Sequence, residues 1–146
     1  MKAKKNRTES VYFSLGSNLG DKKQNIEIAI EKMSELFCSP CVKKSSFYES
    51  KSWGFEGEDF INCAVMFELD KEPQEVLDIC KGIERGMGRE ELVEKDESGR
   101  RIYHDRIIDI DILLFGSRVI DTEILTIPHP LMEKREFVMI PLNEIR

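Results

Sequence analysis

The run "DRIIDIDILLF", residues 105–115, constrains this chain more than any other stretch. Its density of Ile, Leu and Phe reads as a strand over 106–115, buried on at least one face. Asp109 and Asp111 interrupt it, and ionised carboxylates are costly to bury unless a cation or hydrogen-bond donors meet them. Strand side chains alternate between faces, so the two aspartates share one face, about 7 Å apart along the strand. Ile108, Ile110, Ile112 and Leu114 are expected on the other face, in the core. The carboxylates leave the core by parity if the sheet keeps one face open.

The remaining segments supply such a sheet. "SVYFSLG" (10–16) is rich in β-branched and aromatic residues and reads as a strand. "DKKQNIEIAIEKMSELF" (21–37) places Ile26, Ala29, Ile30, Met33, Leu36 and Phe37 at helical spacing, with Asp21 as the start cap three residues before Gln24. "VKKSSFYES" (42–50) reads as a strand. "FINCAVMFELD" (60–70) is another, with Ile61, Cys63, Val65, Phe67 and Leu69 on one face and Phe60 and Asn62 on the other. "EPQEVLDICKGIERGMG" (72–88) is a second helix, opened by Pro73 and closed by Gly86 and Gly88, with Val76, Leu77, Cys80, Ile83 and Met87 as its apolar stripe. Residues 89–105 form a polar loop. Beyond 116 the pattern predicts a short extended piece, a Pro-His-Pro turn and a final strand at 137–140.

Strand–helix–strand occurs twice in this order. The pattern predicts an α+β fold, a ferredoxin-like doubled split βαβ sheet with a C-terminal extension, forming one domain over 1–146. Both helices would cover one face and leave the other for ligand. A length of 146 residues suits one domain with its own core, and 40% hydrophobic with 34% charged residues is the balance of a globular chain rather than a disordered or membrane one. The net charge of −6 argues against a general nucleic-acid binder. "VYFSLG" is too short for the apolar core of a signal peptide, so a cytoplasmic location is expected. "CSPC" (38–41) has C-x-x-C spacing but no second pair, and is read as two thiols at a helix-to-strand turn; Cys63 and Cys80 fall in apolar patterns and are expected in the core.

Five stretches carry possible chemistry. Two carboxylates on one strand face suit Mg²⁺, which binds one or two carboxylates plus substrate phosphates; they equally suit water or an arginine such as Arg106. Lys81, Arg85, Arg89, Lys95, Arg100, Arg101 and Arg106 crowd the segment before the aspartates and suit a phosphate-rich ligand, although interspersed acidic residues also fit a solvated surface. "SLGSNLGD" (14–21) reads as a tight strand-to-helix turn with a cap. "KSWGFEGEDF" (51–60), with the only Trp, reads as a loop that closes over ligand or as a pinned hydrophobic cluster. "PHPLMEKREF" (128–137) adds His129, Arg135 and Phe137.

In series, "SLGSNLGD", "SSFYES", "FINCAV", "IERGMGR", "DRIIDIDILLFG" and "TIPHPLMEKREFVMIPL" resemble the 6-hydroxymethyl-7,8-dihydropterin pyrophosphokinase family of folate biosynthesis over nearly the whole chain. The resemblance implies an enzyme that transfers diphosphate from ATP to the hydroxymethyl group of a reduced pterin and releases AMP. It implies Asp109 and Asp111 as ligands of Mg²⁺, two ions in all, and Arg89, Arg106, Asp109 and Asp111 as the catalytic set. It places Ser50, Trp53, Phe60, Asn62 and Phe137 at the pterin, and Glu84, Arg89, Arg106, Ile112, Thr126, His129 and Arg135 at ATP. Small-molecule substrates are implied, with no nucleic acid, membrane or obligate protein partner. Two alternatives stay open: a metal-dependent nucleotidyltransferase built on D-x-D, and a ferredoxin-like ligand-binding module.

Overall fold

A computed structural model describes residues 8–50, 59–88 and 107–146. Arg89, Arg106, Trp53, Arg100 and Arg101, and most of the loops 51–60 and 89–105, lie outside the described residues.

The first strand, β1 (Glu9–Ser17), leads into α1 (Lys22–Phe37). Asp21 caps this helix as expected, its carboxylate accepting the Gln24 N–H at 3.2 Å. Ile26, Ala29, Met33 and Phe37 are buried, whereas Leu36, also expected on the apolar stripe, is 52% exposed at its flank. Next come β2 (Cys41–Lys44), β3 (Tyr48–Ser50), β4 (Phe60–Leu69) and α2 (Pro73–Gly86). The expected single strand over 42–50 is therefore two, both paired to β4. At the break, Ser45 is buried and uses its hydroxyl as well as its backbone: its Oγ accepts the Ala64 N–H at 2.9 Å, and its own N–H donates to the Ala64 carbonyl at 2.8 Å. The interruption thus leaves Ala64 satisfied.

β5 (Asp109–Phe115) follows, then the short pair β6 (Ile120–Asp121) and β7 (Thr126–Ile127), a 3-10 turn at Met132–Lys134, and α3 (Glu136–Ile145). The main sheet is antiparallel, in the order β2-β4-β1-β5, with β3 added to β4. α1 and α2 cover one face over a core that includes Phe13, Phe37 and Phe67, whose ring centroids lie 5.2–5.8 Å apart. Cys63 and Cys80 are buried in that core.

The opposite face is not left free. Residues 136–145 form a helix where a strand at 137–140 is expected, and Val138, Leu142 and Ile145 bury their side chains against Leu113, Ala64 and Met66. "FVMI" followed by Pro141 has the local look of a strand end. Yet Val138, Pro141, Leu142 and Ile145 lie at helical spacing, and burying three large apolar side chains at about 1.5–3 kcal/mol each outweighs the roughly 3 kcal/mol that an interior proline costs a helix. Glu144 and Lys43 secure the far end. Glu144 accepts the Ser46 N–H at 2.7 Å and the Ser46 hydroxyl at 2.8 Å, and Lys43 Nζ donates to the Ile145 carbonyl at 3.2 Å.

A second departure lies within β5. Phe13 pairs with Ile112 and Tyr12 with Leu114, so Leu113 is an extra residue, a β-bulge. Ile108, Ile110 and Ile112 face the α1/α2 core as expected, but the bulge reverses the alternation. Leu113 and Leu114 pack in the α3 cluster, and Phe115 returns to the main core. Leu114 is thereby corrected from the core face to the α3 face. No helix among the described residues is long and apolar enough to cross a membrane.

Candidate active site

With α3 lying over Tyr12, Ala64 and Met66, the part of this face beyond it is where β1 ends and β4 and β5 begin. In β1, Gly16 pairs with Asn62 on one side and Asp109 on the other, and Ser14 pairs with Ala64 and Asp111. Directly paired residues of antiparallel strands point to the same face. Asn62, Asp109 and Asp111 therefore share the face opposite Leu15, Cys63 and Ile110, which lie in the α1/α2 core. Asn62 and Asp109 stand two strand spacings apart, about 10 Å between their Cα atoms. Both aspartates are half-buried and each has a partner.

Asn62 is 3% exposed, and its amide nitrogen donates to the Tyr48 carbonyl at 3.1 Å and to Ser50 Oγ at 2.7 Å. With both N–H groups committed, its Oδ1 is left as an acceptor on the Gly16 side. Phe60 is half-buried on the same face of β4, and Phe137 packs at the start of α3 with the Arg135 guanidinium 5.7 Å from its ring centroid.

β5 is an edge strand, and a cavity of about 510 Å³ runs along it between α2 and the segment 123–135. It gathers Glu84, Asp109, Asp111, Ile112, Thr126, His129 and Arg135 from three separate parts of the chain. Lys81, Ile124 and Leu131 line it too; none of the three is among the residues that the resemblance assigns to a substrate. Glu84 is buried, and its carboxylate accepts the Ile110 N–H at 2.7 Å. The neighbouring Cys80 thiol is pushed up by burial first, then by the negative charges of Glu84 and Asp111, and stays protonated. The His129 N–H donates to the Leu113 carbonyl at 3.0 Å, extending the pairing along the edge of β5. His129 Nδ1 accepts the Leu131 N–H at 3.3 Å, which leaves the proton on Nε2. Burial and the Arg135 charge lower its pKa, with Asp109 opposing them, so the imidazole is a neutral donor near pH 7.

The donor set suits a hard cation. Two carboxylates on one strand border a cavity that also carries cationic Arg135, and among the described residues no group of three His, Cys, Asp or Glu forms a cage. Mg²⁺, which keeps several waters and takes further ligands from phosphates, fits two such carboxylates. Gly16 lies in the strand, as the reading of 10–16 expects; β1 runs on through Ser17, so only the second half of "SLGSNLGD", from Asn18, is turn.

Comparison with known proteins places these features in company. The family model described as 7,8-dihydro-6-hydroxymethylpterin-pyrophosphokinase matches residues 12–146. The 2-amino-4-hydroxy-6-hydroxymethyldihydropteridine pyrophosphokinase of Aquifex aeolicus is 43% identical over 137 residues, covering 93% of this chain and 79% of the relative. That of Porphyromonas gingivalis is 42% identical over 138 residues, covering 92% of this chain and 89% of the relative. Among solved structures, a Plasmodium falciparum HPPK-DHPS with pterin and p-hydroxybenzoate superposes with a TM-score of 0.69 at 16% identity, a likeness of fold. The match covers 98% of this chain and 41% of that longer one.

Proposed function

The chain belongs to the 7,8-dihydro-6-hydroxymethylpterin-pyrophosphokinase family and is a pyrophosphokinase of folate biosynthesis; on that premise we propose that it moves the β,γ-diphosphate of ATP onto the hydroxymethyl oxygen of 6-hydroxymethyl-7,8-dihydropterin and releases AMP. The observation that carries this reading is the row Asn62–Gly16–Asp109, which runs from a fixed amide acceptor to a carboxylate on the rim of the β5 cavity. A flat heterocycle held at the amide end points its hydroxymethyl arm toward the carboxylate end, where the phosphates lie.

In this reading Asn62 Oδ1 accepts from ring N–H groups, and Ser50 holds that amide in place. Phe60 and Phe137, with Trp53, supply apolar and aromatic surface for the pterin. Glu84, Ile112, Thr126 and His129 hold the nucleotide along the edge of β5, and the neutral His129 donates from Nε2 without adding charge. Arg135, with Arg89 and Arg106, neutralises the phosphates and keeps attacking and leaving oxygens in line. Asp109 and Asp111 would hold Mg²⁺, two ions sharing the pair; when bound, the metal withdraws charge from the phosphoryl oxygens.

The sheet order, with α1 and α2 as crossovers on one face, supports a ferredoxin-like doubled split βαβ unit to which α3 is the C-terminal addition. Residues 1–146 would act as one cytoplasmic domain that needs only its small-molecule substrates. The experiment is AMP release from ATP and hydroxymethyl-dihydropterin at saturating Mg²⁺, beside pterin binding in the presence of a non-hydrolysable ATP analogue. Pterin-dependent AMP release is expected; a chain that neither binds pterin nor releases AMP overturns the reading.

A further inference from the structure

Glycine is a poor residue for the interior of a paired strand, since it costs chain entropy and packs nothing. Gly16 nonetheless sits in β1 with ladder partners on both sides. Its φ is not in the left-handed region that favours glycine, so the backbone does not call for it. Space does. A Cβ built there would stand 3.1 Å from Asn62 Oδ1 and 3.4 Å from the Phe60 ring. Two residues before it on the same face stands Ser14, and two before that Tyr12, which packs with the α3 clusters. The bare stretch of this strand face lies between the amide and the first aspartate.

The far wall of the gap is fixed. Asn62 is buried and tied through its amide nitrogen to Tyr48 and Ser50, so it cannot swing aside for an added methyl group without breaking one of those bonds. We propose that Gly16 is a specificity-determining residue: its bare backbone is the floor that admits the flat pterin and its hydroxymethyl arm between Asn62 and Asp109, and Ser50 is the positioning residue that keeps the Asn62 wall in place. This rests on the pterin reading given above. The gap selects for a thin, planar acceptor with N–H groups facing Asn62 Oδ1 and against bulk at the arm.

The test uses the full chain with Mg²⁺ and a non-hydrolysable ATP analogue, titrated with 6-hydroxymethylpterin and followed by the pterin's fluorescence, together with steady-state kinetics and a thermal melt. In Gly16→Ala, pterin affinity is expected to fall by about tenfold or more, the scale of one displaced buried hydrogen bond. KM for the pterin rises while kcat, affinity for the ATP analogue and melting temperature change little. Ser50→Ala shifts pterin KM the same way, and Ser50→Thr, which keeps the hydroxyl, restores it. A folded Gly16→Ala chain with unchanged pterin affinity overturns the proposal. So does one that loses pterin and nucleotide alike or fails to fold, because the glycine would then be serving the strand. If Ser50→Ala leaves pterin KM unchanged, the positioning role is overturned. If the unsubstituted chain binds no pterin, the functional reading itself falls and this inference with it.

Discussion

The buried carboxylate of Glu84 accepts the backbone N–H of Ile110 at 2.7 Å. Ile110 lies between Asp109 and Asp111, so a side chain of α2 holds the one stretch of β5 that carries both candidate metal ligands. Edge strands leave such N–H groups without a strand partner; here the hydrogen bond sets the height of the two carboxylates over the cavity.

Glu84→Ala strands the Ile110 N–H in a buried setting, which costs about 1–3 kcal/mol. Denaturant unfolding is expected to show that loss. The apparent Mg²⁺ requirement should rise as well, because the D-x-D segment is freed to shift. Glu84→Gln keeps an acceptor oxygen and should recover most of the stability. An alanine variant as stable as the native chain would show the bond to be idle.

Asp109→Asn and Asp111→Asn preserve size and strand geometry at half-buried positions outside the main core, so the fold should be retained. Each replaces a carboxylate by a weaker cation ligand. AMP release at saturating substrates is expected to fall by on the order of 10³-fold or more in each, about 4 kcal/mol of transition-state stabilisation. Near-normal turnover in either folded variant would remove that residue from the metal site.

Phe137→Ala and Phe60→Ala should weaken pterin binding by roughly 1–3 kcal/mol and nucleotide binding far less. Phe137 also packs in the α3 cluster with Leu113 and Met132, so its alanine variant should melt earlier as well. Calorimetric titration with each ligand separates the two effects. Equal weakening of both ligands would mark the rings as packing alone.

The Ser46 backbone and hydroxyl bonds hold the Glu144 carboxyl below its ordinary pKa. A depressed folded-state pKa means that the stabilisation is complete above the unfolded pKa and is lost as pH falls through the folded one. The stability difference between the native chain and Glu144→Gln should therefore be largest near neutrality and shrink as pH drops below about 4, the ordinary carboxylate range. Parallel urea titrations across pH check it; a difference independent of pH would mean that the carboxylate charge contributes nothing there.

Much of the candidate site can be read along the chain because strand parity is local. Alternation alone puts Asp109 and Asp111 on the face opposite Ile108, Ile110 and Ile112, and Asn62 opposite Cys63, and the ladders agree. Helix spacing and the Asp21 cap are equally local, and α1 and α2 follow them. Only the assembled sheet decided the rest. Leu114 changes face because a bulge is a mismatch between two strands, and neither strand shows it by itself. Residues 136–145 become a helix because the exposed sheet face rewards a helical stripe, an energy that exists only once that face has formed. Gly16 reads in the sequence as the end of a strand where the turn to α1 begins; its role as a gap depends on Asn62 and Asp109 arriving from strands 46 and 93 positions away, a coincidence that side-chain spacing along one strand cannot encode.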